Sequence, residues 1–151
     1  MKTEQNMKAF GLIKKPIIGN IPNEIQELNV PVPALNKTEV LVKVIASTLH
    51  VDDIALAQGT ALGRFLGPKE VSENKPYIMG TNFSGIIDSV GNAVTKFKIG
   101  DEVIGIPNKT GESGSWATYR SVDQKDIRLK PIELSHQETV SMIIAGCVAY
   151  G

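Results

Sequence analysis

The stretch Glu39–Ser47 limits the possible folds of this chain most sharply. Val40, Leu41, Val42, Val44 and Ile45 are apolar there, with Lys43 the one interruption. A branched apolar run this short and dense predicts a strand buried on both faces. Such a strand needs partners along both edges, so the surrounding chain must supply a sheet. Turn chemistry does divide the neighbouring sequence into short β segments, predicted over Met7–Ile13, Ile25–Val30, Phe83–Val90, Trp116–Val122 and Asp126–Lys130. Pro31-Val32-Pro33 closes the second of these, because proline lacks a ladder donor and restricts the residue before it. Phe97-Lys98-Ile99, then Gly100-Asp101, then Glu102–Ile106 predict a strand, a tight turn and a strand. Gly85 inside its strand marks a bulge or a close backbone approach. Residues 59–76 read as a long excursion broken by Gly63, Gly67, Pro68 and Pro76. Many short strands at close spacing predict a barrel or a sandwich.

Two segments carry a helical signal instead. His50–Gln58 predicts a short helix, with Asp52 and Asp53 in its first turn and Gly59 at its stop. Ser135-x-x-Glu138 is a capping box, in which serine and glutamate each satisfy the other's backbone N–H. Val140, Ile143, Ile144, Cys147 and Val148 then share one face of an amphipathic helix. A mostly β domain that finishes on one capped apolar helix predicts a domain boundary.

The 151 residues fit one domain, enough to bury a core without disulfides or metals. Lys+Arg and Asp+Glu both number 16, and no basic stripe stands out, so neither nucleic acid nor an anionic membrane is an expected partner. Apolar runs such as Met142–Ala145 are too short to span a bilayer, and residues 1–6 lack a signal peptide's apolar core. A single cysteine, Cys147, excludes intrachain disulfides and makes a reducing cytoplasm the expected location.

Candidate chemistry centres on His50, which follows the apolar run among Leu49, Val51, Asp52 and Asp53. Two readings stay open: a donor facing a substrate pocket, or a structural histidine bonded to backbone or to Asp53. His136, at the first helical position after Ser135, is expected in solvent. Two distant histidines and one cysteine on a helix face do not make a zinc set, which needs three or four ligands. The glycines at 80, 85, 91, 100, 105, 111 and 114 match neither phosphate-loop pattern, although 111–115 could form a backbone nest. Ser113 and Ser115 lack the histidine and acid of a nucleophile arrangement, and Cys147 reads as packing.

In order, Met7-Lys8-Ala9, Glu39–Val44, Leu49–Asp53 with Gly59, Pro76–Gly80, Phe83–Ile87, Val90-Gly91, Phe97–Val103, Gly114–Tyr119, Lys130-Pro131 and Ala145–Tyr150 resemble the opening of medium-chain dehydrogenase/reductase enzymes. No single motif is specific; their order and spacing are. The resemblance implies a mostly β, GroES-like partly open barrel over 7–133, after a tail at 1–6. Residues 134–151 would lead toward a dinucleotide-binding domain. It points to the quinone oxidoreductase and enoyl reductase branch. In the zinc alcohol dehydrogenases a cysteine ligand stands where His50 stands, and Gly-His-Glu where Gly80-Thr81-Asn82 stands. The zinc-free branch has Leu-Asn-Pro-x-Asp where this chain has Leu49-His50-Val51-Asp52-Asp53.

By resemblance, His50 and Asp53 are the catalytic candidates, Thr81 and Asn82 line the substrate side, Val148 touches the cofactor, and no residue binds metal. NADPH is the implied cofactor and a small molecule the substrate. The glycine-rich dinucleotide fold would follow Tyr150, so this chain alone is expected to be inactive. That missing domain, or a second copy held through the last helix, is the expected partner. The rival readings are a non-enzymatic barrel acting as an interaction module and a GroES-type co-chaperonin.

Overall fold

The computed structural model describes residues 5–60, 63–106 and 114–150, and the side chains of Cys147, Val148 and Tyr150 lie outside the description. The apolar run is the centre of a sheet, as its composition demands. Strand β3 (Glu39–Ala46) pairs antiparallel with β5 (Phe83–Val90) on one edge and β7 (Tyr119–Asp123) on the other. With β6 (Glu102–Gly105) and β8 (Ile127–Leu129) they form a five-stranded sheet in the order β7-β3-β5-β6-β8. A second sheet has the order β2-β1-β4, from β1 (Asn6–Leu12), β2 (Gln26–Pro31) and β4 (Tyr77–Ile78).

Residues 116–118 join the sheets. Trp116 O accepts from Phe10 N at 2.7 Å, Thr118 N donates to Lys8 O at 2.9 Å, and Thr118 O accepts from Val44 N at 3.0 Å. The molecule is therefore a mostly β, partly open barrel of two linked sheets. This also corrects the strand expected over Trp116–Val122. Its first part bridges to β1, and only from Tyr119 does it run as β7.

Two apolar clusters hold the sheets. Val40, Val42, Phe83, Ile87, Val103, Val122 and Ile127 fill the larger one, and Leu12, Ile21, Ala57, Tyr77 and Met79 the smaller. Each Val, Leu, Ile, Phe or Met side chain among them contributes about 1.5–3 kcal/mol when fully buried. The two-faced burial expected of β3 holds only at Val40, Leu41 and Val42; Lys43 and Ile45 are exposed. The strand bulges between Leu41 and Val42 and again between Val44 and Ala46, and its later half turns one face to solvent. Gly85 lies opposite this irregular stretch, where an added Cβ would come 2.2 Å from Lys43 O.

No strand forms over Phe97–Ile99. Phe97 packs against the larger cluster, while Asp101 ties Lys98 from both its backbone N–H and its ammonium, so this segment curls instead of pairing. Two short helices carried no usable periodicity in the sequence, α1 (Ile21–Glu24) and α3 (Gly63–Leu66). The helix α2 (Val51–Gln58) is capped by His50 and ends on Gly59 in the left-handed conformation.

The last helix, α4 (His136–Tyr150), has the expected capping box: Glu138 accepts from Ser135 N at 2.9 Å, and Ser135 Oγ accepts from Glu138 N at 3.2 Å. It packs on β5 and β3 with Val140 buried and Ile143 and Ile144 half-buried. His136 is not in solvent. Its side chain is 13% exposed, because α4 begins against the sheet.

Candidate functional site

The loop from β3 into α2 brings His50 to a helix N-terminus. His50 N donates to Asp53 Oδ2 at 2.8 Å, and Asp52 N donates to His50 Nδ1 at 3.3 Å. The ring thus does what serine or aspartate does at other helix starts, satisfying a backbone donor that lacks an intrahelical acceptor. Accepting at Nδ1 requires the neutral ring to carry its proton on Nε2. That N–H has no partner among the described residues, and the side chain is 31% exposed. Asp52 Oδ2 lies 3.2 Å from Nδ1, so protonation there would exchange the helix N–H for a carboxylate. Of the two open readings for His50, the structural bond to backbone is present, and the same bond leaves a donor free.

Asp53 is 1% exposed. Burial pushes its carboxyl above the usual range, and the His50 N–H and the hydroxyl and backbone of Thr81 oppose that push. By strict geometry Asp53 Oδ1 and Thr81 Oγ1 still lack hydrogen-bond partners among the described residues. Close by are two further buried polar side chains. Burial, then the Asp53 carboxylate, pushes Tyr77 up to about 12, with Arg120 acting against them. Burial pushes Arg120 down to about 9, against the pull of Tyr77 and Asp53, so it remains a cation at neutral pH. Its Nη1 donates to Gly80 O at 3.2 Å, its guanidinium carbon sits 5.4 Å above the centre of the Phe83 ring, and its Nε has no partner among the described residues. Gly80 has φ +101°, and a Cβ there would meet Ser115 Oγ and Trp116 Cδ1 at 2.5 Å. Only glycine permits this turn into Thr81.

Asn82 is a hub. Its Oδ1 accepts from Thr48 N at 3.2 Å and Thr48 Oγ1 at 2.8 Å, while Nδ2 donates to Val140 O on α4 at 3.3 Å. Its carbonyl accepts from Ser47 Oγ at 2.7 Å and Ser115 Oγ at 2.6 Å, and Trp116 Nε1 donates to Thr48 O at 3.2 Å. Asn82 therefore ties the loop ahead of α2 to α4 through its side-chain amide and to Ser115 through its carbonyl.

The structure brings His50, Asp53, Thr81 and Asn82 into one region, with unequal freedom. Among these described residues only His50 presents a donor without a partner at a half-buried position that solvent reaches. The Asn82 side chain is engaged at both ends, and the Val148 side chain lies outside the described residues, as do Gly111 and Ser113. Ser47, Ser115, Trp116 and Arg120 complete the region and were not among the expected site residues. For Arg120 a signal existed: it alternates with inward-facing Val122, so the strand period aims it at the core.

Among the described residues no group of three His, Cys, Asp or Glu side chains is placed to hold a metal ion. Nor does a glycine-rich turn that could cradle a pyrophosphate precede either of the two longer described helices, which follow the linkers Ser47-Thr48-Leu49-His50 and Lys130–Ser135. None of the described helices is long and apolar enough to cross a membrane.

The family model of the alcohol dehydrogenase GroES-like domain matches residues 36–132. A 2-methylene-furan-3-one reductase of Solanum lycopersicum is 33% identical over 129 residues, covering 82% of this chain and 31% of the relative. An NADPH-dependent alkenal/one oxidoreductase of Arabidopsis thaliana is 32% identical over 124 residues, covering 79% and 30% respectively. Among solved structures, the quinone oxidoreductase from Coxiella burnetii superposes with a TM-score of 0.77 at 25% identity, over 97% of this chain and 44% of that protein. The chain thus spans roughly a third of the length of such curated relatives.

Proposed function

The chain belongs to the alcohol dehydrogenase GroES-like domain family, the N-terminal domain of medium-chain dehydrogenases/reductases, and from that premise we propose that it is the substrate-side domain of a zinc-independent, NADPH-dependent reductase of quinones or conjugated enones. The observation that carries the chemistry is His50, whose Nδ1 is held by a helix N–H while Nε2–H has no partner among the described residues. A neutral donor fixed in this way polarises a carbonyl oxygen without adding a charge, and removing one such donor typically costs about 10²–10³ in rate. Thr81 in place of a zinc-ligand histidine supports the zinc-free branch, and the names of the relatives above support the substrate class. Residues 7–133 form the barrel in this reading, and 134–151 lead toward the part of the relatives that this chain does not cover.

A nicotinamide cofactor supplies a hydride when bound; no glycine-rich helix start near His50 cradles its pyrophosphate among the described residues, and that contact is assigned to the uncovered part. What this chain does is narrower. The Asn82 hub keeps the loop ahead of α2 in register with the 115–116 segment. Asp53 pins the His50 backbone from the buried side, and His50 Nε2–H donates to the substrate carbonyl. A reducing cytoplasm suits a chain with one cysteine.

The test is a nuclear magnetic resonance titration with a fully methylated benzoquinone, which resists addition by thiols. The expected result is a saturable shift of the His50 Nε2 signal and of the Thr81 amide. Shifts confined to other regions, or none at concentrations that saturate related reductases, would refute the assignment.

A further inference from the structure

At the opposite end of α2 from His50, a cavity of about 360 Å³ opens between the loop after β1, the end of α2 and the segment that contains α3. Lys15, Arg64 and Lys69 line it, and among the described residues no carboxylate does. Ala57 and Val71 back it with apolar surface continuous with the smaller core cluster. Among the described residues, Lys15, Arg64 and Lys69 make neither ion pairs nor hydrogen bonds, whereas Lys8, Lys98 and Lys130 each hold a carboxylate. The chain as a whole has no net charge, so three unpaired cations around one hollow are a local concentration and not a general surplus. Such a hollow attracts anions, and its low-dielectric walls focus the field. The wall is also firm. An added Cβ at Gly63 would come 2.0 Å from Ala55 O, so α3 lies backbone-to-backbone on the end of α2. Phe65, 83% exposed, lies at the same cavity.

We propose that this cavity binds a phosphate-bearing small molecule, with the phosphate held by Lys15, Arg64 and Lys69 and the body of the ligand against Phe65. Phosphate fits better than a single carboxylate: it brings two or more negative charges, and Arg64 offers a planar fork to two of its oxygens while the lysines act as point charges. The cavity exceeds a bare phosphate and lies in the range of small-molecule sites, roughly 300–1,000 Å³. The free ring of Phe65 gives a planar group a face to stack on. The site stands apart from His50 and requires none of the reductase chemistry.

Two probes separate a free phosphate from a nucleotide. The intact chain is titrated with inorganic pyrophosphate and, separately, with adenosine diphosphate, by calorimetry and by backbone resonance shifts. Pyrophosphate should bind saturably and shift the signals of Gly59, Gly67 and Lys69. A K15Q/R64Q/K69Q variant, altered only at exposed positions, should weaken binding by about tenfold or more. Adenosine diphosphate should bind more tightly than pyrophosphate, and F65A should remove that difference. No saturable shift at the cavity, or unchanged binding in the triple variant, would overturn the site. Equal affinity for the two probes, unaffected by F65A, would overturn the placement of the ligand on Phe65.

Discussion

Thr81 and Asn82 are adjacent in sequence and buried, yet they belong to polar environments of opposite kinds. Around Asn82 both ends of the amide and the main-chain carbonyl have partners from Thr48, Ser47, Ser115 and Val140. Around Thr81 the polar atoms outnumber their bonds: among the described residues Asp53 Oδ1, Thr81 Oγ1 and Arg120 Nε all lack one. A saturated network fixes a structure, whereas a half-satisfied one costs stability and persists where charge or reactivity is needed. The first region holds the loop in place. The second holds a buried cation within electrostatic reach of Asp53, the buried carboxylate that accepts from His50 N.

The largest expected effects come from breaking either region. In the second, R120L removes the bond to Gly80 O, the cation over the Phe83 ring and the positive charge that Asp53 and Tyr77 feel, and should destabilise the chain by about 2–3 kcal/mol in denaturant unfolding. Adding D53N should recover part of that loss; a double variant no better than the single one would mean that the two groups are not coupled. N82A breaks the first region. It strands the Thr48 donors and Val140 O, and should cost about 2–3 kcal/mol. It should also loosen α4, seen as faster hydrogen exchange at Val140 and Ile143.

These contrasts were unequally legible in the sequence. Helix α2 and the α4 capping box were plain because cap and helix are local: Ser135 and Glu138 need only each other. The central strand was plain from its apolar density, but its exposed later half was not, because that depends on bulges set against β5. The Asn82 hub was hidden for the same reason. Its partners lie 33, 34 and 58 residues away, and nothing in Gly80-Thr81-Asn82 announces them. Position 136 was misjudged because a helix start usually faces water, and only the packing of α4 shows otherwise.

His136 provides a smaller, pH-dependent test outside both regions. Ser84 Oγ donates to Val103 O at 3.0 Å and so accepts from His136 Nδ1 at 2.7 Å. Burial lowers the ring's pKa below 6.5, Glu102 works against this and Lys130 with it. The unfolded chain therefore binds the proton more readily. Stability from this group is complete above pH 6.5 and is lost as pH falls through the lower native value. H136Q should flatten the stability profile in that window, and an unchanged slope would assign it to other groups. The smallest effect belongs to T81V. Removing a hydroxyl without a strict partner should change stability by only about 0.5 kcal/mol, in contrast to N82A one residue on.

The reductase reading faces its most direct test in a chimera. The share of the Coxiella burnetii quinone oxidoreductase that this chain matches is replaced by this chain, and NADPH oxidation is followed with a methylated benzoquinone and an enone, in the presence of a chelator. The account predicts turnover that survives the chelator and falls by about 10² or more with H50A while NADPH affinity is unchanged. A folded chimera that binds NADPH but reduces neither substrate, or whose turnover is indifferent to H50A, would contradict it.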